Sequence, residues 1–136
     1  SVSSARRCLA ESGADGLMIG RAAARTPWIF ALLAREVYGV DIPEPDINLP
    51  QIYHDFVAAL VQRFRPERRL GRMKEFTHYF AQNYFFGHHL AAGVQSSRTL
   101  TEAWERAQSF FQEHDPYGSY GQHSAGQGHE CSGGLK

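Results

Sequence analysis

Gly13-Ala14-Asp15-Gly16-Leu17-Met18-Ile19-Gly20-Arg21 is the stretch on which the fold turns. Its run Gly16 to Ile19 lacks the polar alternation of a half-exposed strand, so it predicts a strand buried on both faces, as in a parallel sheet. Upstream, about Ser4 to Ser12 reads as a helix capped by Ser3 or Ser4, with Ala5, Cys8 and Leu9 on one face and Gly13 as its stop. Downstream, Thr26 is placed to cap a helix from Pro27 to near Gly39, in which Trp28, Ile29, Leu32, Leu33 and Val37 recur at helical spacing. A parallel strand needs partners, yet no second convincing strand follows in the 136 residues, and no methionine opens the chain. The expected architecture is therefore mostly α: the last strand and helices of a sheet whose other strands lie upstream, followed by a small C-terminal helical bundle. The alternative is a processed or divergent all-helical domain in which residues 16–19 form a buried turn.

Residues 1–39 thus read as the end of one unit. Pro43, Pro45 and Pro50 with the neighbouring acids make residues 40–49 an extended connector, and residues 50–114 read as helical throughout. Ile52, Tyr53, Phe56, Val57, Leu60, Val61 and Phe64 form one wide apolar stripe that Pro66 ends. A second helix is predicted from about Glu67 to Phe86, with Leu70, Met73, Phe76, Phe80 and Tyr84 inward and Gly87 as its C′ residue. A shorter helical segment covers His88 to Gln95. Thr99-x-x-Glu102 is a capping box opening the last helix, whose core face is Leu100, Ala103, Trp104, Ala107, Phe110 and Phe111. Residues 115–136 are rich in Gly, Ser and His, and disorder is expected there.

The chain balances 14 basic against 14 acidic side chains at 43% hydrophobic residues. That is apolar material for one core, and it excludes a protein that coats nucleic acid uniformly. The zero sum hides a segregation. Residues 36–55 hold Glu36, Asp41, Glu44, Asp46 and Asp55 without a Lys or Arg, whereas Arg63, Arg65, Arg68, Arg69, Arg72 and Lys74 crowd residues 63–74 against Glu67 alone. The basic run has two readings: a solvated surface that answers the acidic connector, or a patch that tracks the phosphates of structured RNA. No apolar run reaches the ~18 residues of a membrane helix, and no secretory signal opens the chain. Cys8 and Cys131 do not make a disulfide framework, so a reducing, cytoplasmic setting is expected.

The chemistry concentrates at Gly20-Arg21. At the end of a buried strand, a glycine lets a phosphate approach backbone N–H groups, and the start of a following short helix adds its positive end. The adjacent arginine supplies a charge-assisted partner. In (β/α)₈ barrels such a phosphate site is built by the loops after the last strands. The competing reading is a tight turn with a solvated Arg21. Cys8, on the apolar helix face, is read as packing rather than as a nucleophile. Tyr79, Tyr84 and His78 are read as core before base-stacking residues. His88 and His89 are neighbours and point different ways, and His114, His123, His129 and Cys131 form only a loose cluster, so no metal site is expected.

The segment from Gly13 to Ala23, followed by Pro27-Trp28-Ile29-Phe30, resembles the end of the flavin barrel in the tRNA-dihydrouridine synthases. In that family G-A-D-G-φ-M-I-G-R-A/G forms the eighth strand and its loop, and an N-P-W-φ-F helix follows; Thr26 stands here for the Asn. The likeness covers residues 1 to about 113 and is strongest over 13–30. It implies a TIM barrel that binds FMN, with Gly20 and Arg21 at the flavin phosphate, NADPH as reductant, and a C-terminal helical domain that holds tRNA. The family's R/K-K-H-x-x-W-Y falls on Met73 to Tyr79, where Lys74 and Tyr79 agree but Glu75 and His78 depart from it. Arg69, Arg72 and Lys74 are the implied RNA contacts. The family's catalytic cysteine belongs to earlier barrel loops, so no catalytic residue is expected here, and the partners implied are tRNA and the upstream remainder of the barrel, with neither DNA nor a membrane. Two rivals stand beside this reading: another flavin- or phosphate-binding barrel acting on a small molecule, and a stand-alone helical RNA-binding or interaction module. Steep salt dependence of RNA binding separates the tRNA enzyme from the small-molecule barrel.

Overall fold

The computed structural model describes residues 1–114. The expected disorder of residues 115–136, and the cluster of His123, His129 and Cys131, lie outside the described residues. Seven α-helices follow one another: α1 (Val2–Ser12), α2 (Arg21–Arg25), α3 (Ile29–Glu36), α4 (Leu49–Arg63), α5 (Pro66–Phe80), α6 (Gly87–Ser96) and α7 (Leu100–Glu113). A single 3₁₀ turn, Ala81–Asn83, links α5 to the loop before α6.

The first helix starts earlier than its sequence predicts. Ser1, rather than Ser3 or Ser4, is the N-cap: its Oγ accepts from the Ser4 N–H, while Ser4 Oγ accepts from the Ser1 ammonium. Gly13 ends the helix with φ 66°, the left-handed conformation that glycine adopts without a Cβ penalty. Residues 16–19, predicted as a strand, form neither strand nor helix, and no strand occurs among the described residues. A strand exists through its ladder to a neighbour, and no described segment lies alongside this one. The side chains nevertheless alternate: Leu17 and Ile19 pack on Ala5, Ile29 and Leu33 of α1 and α3, and Met18 points away, 98% exposed. The run is buried on one side, not two.

Cys8 is exposed, contrary to the packing role expected for it. α1 joins the small cluster through Val2 and Ala5, with Leu9 half-buried, and Cys8 lies about 100° around the helix from Leu9. Thr26 also departs from its predicted role. Its N–H and its Oγ1 both donate to Ala22 O, at 2.8 and 2.9 Å, so it closes α2 instead of opening α3. The helix expected from Pro27 to Gly39 is correspondingly shorter, and Gly39 takes φ 65° at the exit to the connector.

The larger core is built by α4 to α7. Asn48 caps α4 through Oδ1, which accepts from the Gln51 N–H at 3.1 Å, and Pro66 opens α5 where its missing N–H costs nothing. Tyr53 meets Phe76 and Phe80 at tilted angles, Phe76 stacks on both Phe56 and Phe80, and Tyr84 meets Phe110 edge-on. Ala103 and Ala107, both fully buried, hold the inner face of α7 to small side chains. Thr99 Oγ1 caps α7 by accepting from the Glu102 N–H, and Glu102 returns a carboxylate oxygen to the Arg98 N–H, one residue upstream of the expected capping box. The Arg98 N–H, with the Arg106 guanidinium beside it, holds the Glu102 carboxyl below its usual range.

Gly87 opens α6; it does not close α5. The predicted helix to Phe86 stops at Phe80 because the chain doubles back there, and a Cβ on Gly87 would stand 1.8 Å from Ala81 O.

Two buried tyrosines differ in a way that yields a prediction. Thr77 Oγ1 donates to Met73 O at 2.7 Å, so its lone pair is open to the Tyr53 hydroxyl, which donates to it at 2.6 Å. The Tyr84 hydroxyl is buried without a hydrogen-bond partner among the described residues. Removing a satisfied hydroxyl loses its bond, whereas removing an orphan relieves a desolvation cost. Tyr53→Phe is therefore expected to destabilise by about 1 kcal/mol and Tyr84→Phe to be neutral or stabilising, as read from urea unfolding midpoints. Burial pushes the Tyr53 phenol from 10.0 up to about 12 and pushes Tyr84 up as well. Above pH ~10 the unfolded chain sheds these protons while the folded chain retains them, so stability falls as pH rises through the folded values. Phenylalanine at either position should flatten that alkaline limb.

Candidate functional site

The chain reaches the candidate loop from the half-buried Leu17 and Ile19, turns at Gly20, and enters α2 at Arg21. Gly20 O accepts from the Ala23 N–H at 2.9 Å, which starts the helix. The N–H groups of Arg21 and Ala22 belong to the first turn and have no intrahelical acceptor. Nothing among the described residues accepts from them, and the exposed Arg21 guanidinium makes no ion pair there. A Cβ placed on Gly20 would meet nothing within 4 Å. The chain itself thus leaves open space at Gly20, beside three unpaired donors of one sign. A cleft of about 260 Å³ borders the loop, lined by Cys8, Leu17, Met18, Ile19 and Ala22 among others. This donor set fits a phosphate group.

The second candidate surface is the corner where α4 gives way to α5. Here the six bases have different employment. Arg69, half-buried, donates from Nε to Phe64 O at 2.9 Å and so satisfies the carbonyl end of α4. Arg72 pairs with Glu75 at 2.7 Å and holds its guanidinium 6.0 Å from the Phe64 ring centroid. Lys74 is half-buried, and its backbone carbonyl accepts from Gln95 Nε2. Arg63, Arg65 and Arg68 are exposed and make no ion pair among the described residues. The acidic connector does not neutralise the corner: Glu44 reaches Arg35 of α3 at 3.8 Å, and no connector acid pairs with residues 63–74.

Of the side chains that sequence marks as RNA contacts, Arg69 and Arg72 are therefore held by the fold, and the freest charges are three neighbours in the same run. The N-terminus of the 15-residue α5 faces this corner without a side-chain cap, so its open N–H groups and dipole add to the positive potential. His78 is exposed, Tyr79 half-buried and Tyr84 a core residue. His88 and His89 are exposed, and His114 stacks on Phe110. The described residues bring no three His, Cys, Asp or Glu side chains into metal-binding proximity. No described helix is long and apolar enough to cross a membrane.

The described residues thus present an open loop at the start of a short helix and, on the helical bundle, a basic corner. The family model for dihydrouridine synthase (Dus) matches residues 1–114, and the chain belongs to that family. The family comprises oxidoreductase-type enzymes that act on tRNA and are generally flavin-dependent. No curated protein and no solved structure gives a significant match to the chain.

Proposed function

We propose that this chain is the C-terminal part of an FMN-dependent tRNA-dihydrouridine synthase: the last segment of a TIM barrel, residues 1–39, a connector, residues 40–49, and a tRNA-holding helical domain, residues 50–114. The observation that carries the reading is the unpaired donor set at Arg21 and Ala22 with the open approach at Gly20, in a chain of this family that also carries a basic corner its own acids leave unanswered. Arg21 and the N–H groups of Arg21 and Ala22 hold the FMN phosphate, and Gly20 keeps the approach clear of a side chain. Bound flavin, recharged by NADPH, supplies the hydride that reduces uridine to 5,6-dihydrouridine. The exposed Arg63, Arg65 and Arg68 grip the RNA backbone, with Arg69, Arg72 and Lys74 further along α5. The catalytic acid is not among these residues.

The test uses the full-length protein that carries this chain. Losing a charge-assisted contact to a phosphate costs about 1.5–3 kcal/mol, so Arg21→Ala should weaken FMN binding roughly 10- to 100-fold, measured by flavin fluorescence titration. Unchanged FMN affinity removes the assignment of the loop. A variant-free control addresses the substrate: affinity for tRNA that matches background and ignores salt would favour a small-molecule barrel enzyme instead.

A further inference from the structure

Asn83 ends the 3₁₀ turn after α5, and its side-chain amide has two protons to donate. Both are used. Nδ2 donates to Phe80 O at 2.9 Å, at the end of α5, and to Arg25 O at 2.6 Å, which lies 58 positions away at the C-terminal end of α2. Arg25 O is one of the helix-end carbonyls that no intrahelical N–H can reach.

The opposite end of α2 is the Gly20–Arg21 loop. Five residues of helix span only about 7–8 Å, and a helix that short has no stability of its own. Its position is set by what holds it. Ala24 of α2, and Trp28 just beyond it, pack against the core of the bundle, and the Asn83 amide supplies the directional tie.

We propose that Asn83 is a positioning residue that fixes the flavin-phosphate loop to the helical bundle, so that the RNA grip and the cofactor seat move as one unit. This rests on the reading of Gly20 and Arg21 given under Proposed function. The chemistry is specific to an amide donor. An aspartate at this position presents lone pairs to two carbonyl oxygens, and alanine leaves Arg25 O without its partner.

In the full-length protein, Asn83→Ala and Asn83→Asp should each speed FMN dissociation about 3- to 10-fold, which is the scale of one or two lost hydrogen bonds. Followed by flavin fluorescence, the loss should be larger for Asp than for Ala. Saturating FMN should restore turnover, since the defect is in seating the cofactor and not in the chemical step. Val94→Ala, in the buried face of α6, serves as a variant of comparable stability loss with no tie to α2, and it should leave FMN dissociation unchanged. Unchanged FMN release in both Asn83 variants overturns the proposal, as does an equal acceleration in Val94→Ala. Should Arg21→Ala loosen FMN while the Asn83 variants do not, only the positioning role fails. If Arg21→Ala has no effect either, the failure is that of the loop assignment beneath it.

Discussion

Gly87→Ala is expected to cost the helical bundle about 3 kcal/mol or more, a large share of the stability of a domain this size. The added Cβ would lie 1.8 Å from Ala81 O and 2.7 Å from Ala81 C, and both are backbone atoms of the turn that the Tyr84 N–H closes by donating to Ala81 O. No side-chain rotation relieves that overlap. Either the 3₁₀ turn opens or the start of α6 lifts away, and both moves disturb Ala81, Tyr84 and Leu90, which are buried in the common core. Gly71 provides the contrast. It lies on the exposed face of α5, where an added methyl would meet nothing within 4 Å, so Gly71→Ala should stabilise by about 0.5–1 kcal/mol through helix propensity. Urea unfolding followed by circular dichroism separates the two: opposite shifts in midpoint are expected, and a Gly87→Ala protein of undiminished stability would contradict the close approach.

The same glycine shows why some of the fold was legible and some was not. The inward faces of α4, α5 and α7 follow from apolar spacing, because burial of a helical stripe repeats every turn, and Tyr53, Met73, Phe80 and Ala103 are all fully buried. Gly87 after a long helical pattern looks like a C-terminal stop by the same local logic. What moves it to the start of α6 is the tertiary approach to Ala81, which leaves no periodic signature. Thr26 illustrates a finer ambiguity: a hydroxyl can cap the helix ahead or bond the carbonyl four residues behind, and only the length of α2 decides. Leu17 to Ile19 carries a strand-like composition, but a strand is a relation between two segments, and no described segment supplies the other. At the candidate site, Gly20 and Arg21 are visible as residue types with a phosphate chemistry. The tie from Asn83 to Arg25 O is not visible, since an asparagine near a helix end has no sequence mark that names a carbonyl 58 positions away.

Replacing Arg63, Arg65 and Arg68 together with alanine should weaken tRNA binding by the full-length protein roughly 100-fold at physiological salt, at about 1 kcal/mol per lost phosphate contact. These three are the right ones to remove because they are exposed and make no ion pair among the described residues. Arg69 answers otherwise. Deleting it strips Phe64 O of its donor at the end of α4, so Arg69→Ala should lower the unfolding midpoint along with any loss in binding. Arg72→Ala likewise releases Glu75 and adds a free negative charge to the corner. The distinguishing measurement is the slope of log affinity against log salt. Each phosphate contact displaces condensed counterions, so the triple variant should flatten that slope by about 2–3, with the unfolding midpoint and the FMN affinity unchanged. A fall in affinity at an unaltered slope would mean that the arginines shape the corner without touching phosphate, and the grip would then have to be sought on another face of the bundle.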